Sequence, residues 1–449
     1  MLKSGDVSAE EPEPLLCMVS RGDGSMSSRA VSDRYRCPEN LLPPSSLNCR
    51  TLSSVRDDAK LPLSLDPSEV IDNLLLERYS HSSGSGFDNF LKRIYYFLRP
   101  LTTRSVRRRV QKFYARNWRG LRFPHWPVDT SVENICEGTL LQALEDNNVE
   151  RIPFVWFWPR GAHSCVMMTH DVETKVGRDF CEDLMDIDDS FGIKASFQVV
   201  PEGRYTVPKK FLESVRKRGF EVGIQDLNHD GRLFESRDRF RRRAVSINQY
   251  GKAYGARGFR AAVLYRNPEW YGDLEFSYDM SMPNVAHLDP QRGGCCTVMP
   301  YFIGNILELP VTTVQDYTLF HLLNDRSIAL WKAQLQLILE KNGLASFIIH
   351  PDYVREGNAL SVYKDLLSYL RDLRGRYPLW FALPRDVDTW WRARSQMSPV
   401  KVGGAWRIAG DRAEQAVLAY ATRRDGKLVY ELSRSGHECS EAGNRPRLN

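Results

Sequence analysis

From about residue 152 the chain alternates short apolar runs with longer stretches of helical spacing. The runs "IPFVWFW", "SCVMMTHDV", "KASFQVV", "FEVGI", "GFRAA", "FSYDM", "ILELPV", "ASFIIH" and "PLWFAL" are compact, apolar and bounded by turn residues, which predicts strands. Between them, "RDFCEDLMDIDDSFG" places Phe180, Leu184 and Ile187 on one side of a helix. "PKKFLESVRKRG" is a helix opened by Pro208 and closed by Gly219. Further helices are predicted over 232–254, in "SIALWKAQLQLILEKNG" and over 359–374. Strands separated by helical patterns indicate parallel βαβ units. About seven such repeats point to a closed or nearly closed α/β barrel rather than an open sheet.

The flanks read differently. Residues 1–68 are rich in Ser, Pro and charge, with little periodicity, which predicts a disordered tail. Residues 69–151 carry helical spacing, first at Val70, Leu74, Leu75 and Tyr79, then in two helices parted at Pro100. The second of these has an apolar stripe through Val106, Val110, Phe113 or Tyr114, and Trp118. This helical extension is expected to pack on the barrel, because "FPHWPVD" and "VWFWPRG" are too aromatic to be free. The barrel region is assigned to 152–395. A small antiparallel β segment follows over 396–434, with "RDGK" as a hairpin turn, and then a disordered tail over 435–449.

Composition narrows the class. Of 449 residues, 42% are hydrophobic and 26% charged, which suits a folded globular chain. The net charge of +6 is mostly local, because residues 101–122 carry eight Arg or Lys and no acid. Such a basic amphipathic face can lie on a membrane surface, giving a peripheral contact through 101–122, or can simply be solvated. Its aromatics sit at stripe spacing, so no nucleic-acid partner is expected. Nine cysteines without a CxxC pair argue against a disulfide framework. No apolar run reaches membrane-spanning length and no signal peptide is visible, so a cytoplasmic location is expected.

In an α/β barrel the reacting groups stand at the C-terminal ends of the strands. "MMTHDVE" places Asp171 and Glu173 on one face of its strand, with His170 on the other. The next relevant strand ends in Gln225, with His229 one turn on. "GFRAA" delivers Arg260, "ILELP" delivers Glu308 with Asp316 beyond it, and "FIIHPDY" delivers His350. Paired carboxylates, a neighbouring His, an Arg to hold one acid and a second His to donate a proton equip a site for metal-assisted hydrolysis of an amide or ester. Each residue alone is weak evidence, since a single strand-end His is more often a structural group.

"MMTHDVE", "EVGIQDLNHDGRLF", "GFRAA" and "FIIHPDY" together resemble the ordered motifs of the polysaccharide deacetylase family (NodB homology, carbohydrate esterase family four), over roughly residues 160–390. The resemblance implies a distorted (β/α)7-type barrel holding one divalent metal, zinc or a similar transition ion. It implies removal of acetyl groups from an acetylated sugar or glycan. It assigns Asp171 as general base, Glu173 and His229 as metal ligands, Arg260 as the residue holding the base, and His350 as proton donor, with Asp316 orienting His350. Two positions depart from the pattern: Gln225 stands where the family has a ligand His, and Ala262 where it has a Pro. A Gln oxygen binds Zn²⁺ poorly and tolerates Mn²⁺ or Mg²⁺ better. Three readings follow. The metal is held by Glu173, Gln225 and His229; or Asp226 or His170 steps in; or the site is metal-poor. Three functions stay open beside them: a metal-dependent deacetylase acting on a non-peptide C–N bond, an amidase of a non-carbohydrate substrate, or a catalytically impaired glycan-binding protein.

Overall fold

A computed structural model describes residues 29–38, 67–83 and 117–433. Fourteen strands are assigned among these, and nine of them form one sheet. Its members are β2 (Ser164–Val172), β3 (Ala195–Val199), β4 (Glu221–Gln225), β5 (Gly258–Arg260), β6 (Tyr278–Asp279), β7 (Tyr301–Ile303), β8 (Ile306–Glu308), β9 (Leu344–Ile349) and β10 (Leu379–Phe381). The order is β10-β2-β3-β4-β5-β6-β8-β7, with β9 on the second side of β2. Every pairing is parallel except the β7–β8 hairpin. β2 is buried along its whole length, as a parallel strand covered on both faces must be.

The sheet curls until β9 meets the chain just after β8. Closure there does not use a backbone ladder. Thr312 Oγ1 donates to the Leu344 carbonyl at 2.7 Å and accepts from Ser346 N at 2.9 Å, and Thr313 Oγ1 donates to the Ser346 carbonyl at 2.7 Å. Seven strands therefore make the ring: β2, β3, β4, β5, β6, β8 and β9. β7 and β10 lie outside it. The fold is mixed α/β, a distorted barrel of this seven-strand type. Helices Lys175–Ser190, Lys209–Lys217, Arg237–Tyr254, Ala329–Glu340 and Gly357–Arg376 cover its outside. The first starts directly after Glu173, where Thr174 Oγ1 accepts from Gly177 N at 3.0 Å. The third stops at Gly255, which has φ +58°.

Two expectations are corrected. Residues 29–38 fall in the stretch expected to be disordered, yet Arg29–Tyr35 is a helix whose Val31 and Tyr35 are buried. β1 (Arg151–Val155), grouped with the barrel from sequence, instead pairs antiparallel with β13 (Leu418–Arg424), which pairs with β14 (Lys427–Leu432). A hairpin of β11 (Ser398–Val402) and β12 (Ala405–Ala409) precedes them. The small sheet shares one apolar core with the helices Pro67–Leu75 and Ser131–Asp146 and with the far end of the barrel, through Ile71, Leu140, Trp158, Met167 and Trp391. A compact apolar run marked β1 as a strand but not its partner, because pairing is a long-range property. The paired helices expected around Pro100 and most of the basic stretch 101–122 lie outside the described residues. No helix among the described residues is long and apolar enough to cross a membrane.

At the end of the barrel away from the strand C-termini, Glu221 accepts from Arg385 N at 3.1 Å and from the Tyr278 hydroxyl. Burial pushes its carboxyl up to about 7. A raised acid stabilises fully below its unfolded value of about 4.3, and that stability is lost as pH rises through about 7. Glu221→Gln is therefore expected to flatten the fall in stability between about pH 4.3 and pH 7. Urea midpoints of both proteins at several pH values check this, and parallel pH profiles would contradict it.

Candidate functional site

The strand-end residues expected from sequence meet at one mouth of the barrel. Asp171, at the end of β2, receives Arg260 Nη1 on Oδ1 at 2.6 Å. Arg260 is wholly buried and is held by two further bonds, to Thr169 Oγ1 at 2.8 Å and to the Met280 carbonyl at 3.1 Å. Its neighbours Val263 and Leu264 have φ +60° and +53°. A β-branched residue there is a genuine outlier, so the loop after Arg260 is held in a strained path. The strain is secured by Ala261 N on Ser281 Oγ at 2.8 Å and by Arg266 Nη1 on the Leu264 carbonyl at 2.8 Å.

Across from this pair stands His350, at the end of β9. Asp316 takes both the His350 backbone N–H, at 2.8 Å, and Nδ1, at 2.6 Å. The loose sequence match for Asp316 thus has a definite place behind the imidazole. His350 Nε2 lies 3.4 Å from Glu173 Oε1. Burial alone would lower His350, but Asp316 and then Glu173 hold it well above the ordinary histidine value. Burial would raise Glu173, but His229 and then His350 bring it well below the usual carboxylate range. His229 Nε2 is 2.7 Å from Glu173 Oε1, off the straight line of a good hydrogen bond. Both Asp226 and His229 have left-handed backbones, with φ +54° and +53°.

Gln225 joins the cluster differently from the ligand role assigned to it. Its amide nitrogen lies 3.0 Å from Asp171 Oδ2 and 3.4 Å from Glu173 Oε1. Oxygen and nitrogen of an amide are assigned by their partners, and two carboxylates call for the nitrogen. Its Oε1 is buried and has no partner among the described residues. Asp171, Glu173 and His350 bring ligand atoms within 4.8 Å of one another. His170 does not step in, because its Nε2 lies 2.9 Å from Asp188 Oδ2, a carboxylate that also receives the Tyr363 hydroxyl at 2.6 Å. Asp226 is buried, with Oδ1 accepting from Leu227 N. Glu308 turns to Asp279 behind the mouth, and its Oε1 accepts from Met282 N at 3.0 Å.

Sequence reasoning missed Arg204. It lies on the loop leaving β3 and donates from Nη2 to His229 Nδ1 at 2.9 Å and to the His229 carbonyl at 2.9 Å. Its signal is the polar turn "PEGRY" at the exit of β3, the strand beside the one that carries Gln225.

No protein-family profile matches this chain, and no curated protein matches it. Polysaccharide deacetylases of carbohydrate esterase family four are among its structural neighbours, at low identity. A putative polysaccharide deacetylase from Mycobacterium smegmatis is 18% identical, with a TM-score of 0.44 over 55% of this chain and 96% of that one. Puue allantoinase is 11% identical, with a TM-score of 0.41 over 53% of this chain and 92% of that one. A mutant of a CE4 family pseudoenzyme with restored enzymatic activity is 16% identical, with a TM-score of 0.30 over 50% of this chain and 67% of that one.

The divalent ion implied by the motif resemblance is tested by the donors themselves. Asp171, Glu173 and His350 are near enough to one another to surround a cation. Yet Asp171 Oδ1 is taken by Arg260, Gln225 offers N–H groups to both acids, and a guanidinium donates to His229. A ligand histidine normally donates its second nitrogen to a carboxylate or carbonyl. As arranged, the expected set of Glu173, Gln225 and His229 does not fit the ion.

Proposed function

We propose that the protein is a hydrolase of the polysaccharide-deacetylase type, which takes an acetyl group borne on a carbohydrate into the mouth of its barrel. The observation that carries this reading is the opposition of two proton-handling pairs, Arg260–Asp171 and Asp316–His350, on either side of Glu173. Asp171 takes a proton from water as the water oxygen bonds to the acetyl carbon. His350, held charged by Asp316 and Glu173, gives a proton to the departing sugar nitrogen or oxygen as the old bond breaks. Acetate and the free amine or alcohol result. Because the expected ligand set of Glu173, Gln225 and His229 does not fit a divalent ion, no step is routed through one. Asp171, Gln225, His229, Arg260 and His350 are all nearly buried, while Glu173 is partly open to solvent. That depth suits a small projecting group better than a whole sugar ring.

A second reading, binding of an acetylated carbohydrate without turnover, is favoured by the Gln225 amide lying between the two acids. Acetate release from N-acetylated chitooligosaccharides and from O-acetylated xylan separates the two. The proposal expects release by the natural protein and a fall of about 10²–10⁴-fold in His350→Ala. Saturation-transfer contact with the sugar and no acetate would establish the second reading. Neither contact nor release would defeat both.

A further inference from the structure

We propose that the ligand set of Glu173, Gln225 and His229 is closed to divalent cations by its own N–H donors, and that Arg204 is the positioning residue that locks it. This rests on the same cluster being the reacting or binding site, but not on whether acetate is released. An arginine side chain has five N–H donors and no acceptor, and it stays charged at any pH a folded protein meets. Its contact of 2.9 Å with His229 Nδ1 can therefore run only one way: Nδ1 accepts. The neutral ring then carries its proton on Nε2, the nitrogen that faces Glu173 Oε1 at 2.7 Å. A nitrogen that carries a proton has no lone pair for a metal. Arg204 is fixed in this task by a second bond from the same Nη2 to the His229 carbonyl at 2.9 Å.

The remaining positions agree. Glu173 Oε1 is met by three nitrogens, those of His229, His350 and Gln225, at 2.7, 3.4 and 3.4 Å. Asp171 is met by Arg260 at 2.6 Å and by Gln225 at 3.0 Å. Positive hydrogens thus stand where a cation would otherwise balance the two acids. The exchange of a His for Gln225 is then only half of the change. Restoring that His leaves His229 still turned by Arg204.

Zinc alone is the probe, counted per chain by mass spectrometry after equilibration in buffered zinc, with circular dichroism confirming the fold of each variant. The natural protein is expected to hold none, and Gln225→His little. Gln225→His with Arg204→Met is expected to bind one zinc about 10–100-fold more tightly than Gln225→His alone, the range seen when an outer partner of a ligand histidine is changed. Gln225→His with Arg204→Lys should stay weak, because lysine is also a pure donor. The ¹⁵N shifts of His229 in the natural protein read the lock without any substitution, and a proton on Nε2 is expected. The proposal is overturned by a proton on Nδ1, by one zinc per natural chain held through His229, or by Gln225→His binding zinc as tightly as the double variant. Zinc exclusion with acetate release, or without it, leaves the proposal standing and decides only between the two functions above.

Discussion

Asp171→Asn is expected to cut acetate release by about 10²–10⁴-fold and to destabilise the protein by about 3–5 kcal/mol. The rate effect follows from losing the group that takes the water proton. The stability effect follows from Arg260, whose guanidinium is wholly buried and whose charge is met by Asp171 Oδ1 at 2.6 Å. Asparagine keeps the shape and removes the charge, so the guanidinium is left in the barrel without its counter-ion. The two effects separate in Asp171→Leu with Arg260→Met. An apolar pair of similar volume recovers much of the stability, because neither side then buries an unmatched charge, while activity stays lost. Urea unfolding and acetate release on the same preparations test this. Undiminished release by Asp171→Asn would remove Asp171 from the chemistry.

Glu77→Ala is expected to destabilise by a similar amount, about 3–5 kcal/mol, from a position far from the mouth in sequence. Glu77 and Arg266 form a doubly bonded ion pair with both side chains fully buried, Arg266 Nε reaching Oε2 at 2.7 Å. Removing the acid strands a buried guanidinium. That guanidinium also holds the Leu264 carbonyl at 2.8 Å, within the strained turn that follows Arg260. Loss of stability should therefore come with loosening of the loop beside the site, read as faster amide exchange at Leu264 and Tyr265. A change below about 1 kcal/mol, the size of an ordinary surface substitution, would show that residues 67–83 are not part of the folded unit.

The barrel was legible because its signals are local. Apolar runs such as "SCVMMTHDV" and capped helices such as "PKKFLESVRKRG" declare themselves within one window of sequence. The strand ends then name Asp171, Arg260 and His350 without any structure, since alternation fixes which side chains share a face. What stayed hidden depends on pairing across the chain. β1 is a compact apolar run like the barrel strands, but its partner β13 lies far along the chain, with Val155 facing Leu418. Arg29–Tyr35 is too short to stand out by period, and gains its place by burying Val31 and Tyr35 and by pairing Arg34 with Glu133. The orientation of Gln225 is a contest between oxygen and nitrogen that only its neighbours decide, and the decisive neighbour of His229 comes from another strand's exit.

The ring of strands also has one soft tooth. Elsewhere, parting two strands breaks a backbone ladder. Between Thr312–Thr313 and Leu344–Ser346 only two hydroxyls bridge the backbones, with the Asp316–His350 bonds further along the same seam. The amide of Ser346 should therefore exchange ahead of its neighbours on β2, although all are equally buried. His350 closes the same strand, and Asp316 stands a few residues past the threonines. An opening of that seam would part His350 from Asp316. The line along which side chains alone join the barrel thus runs up to the imidazole of His350.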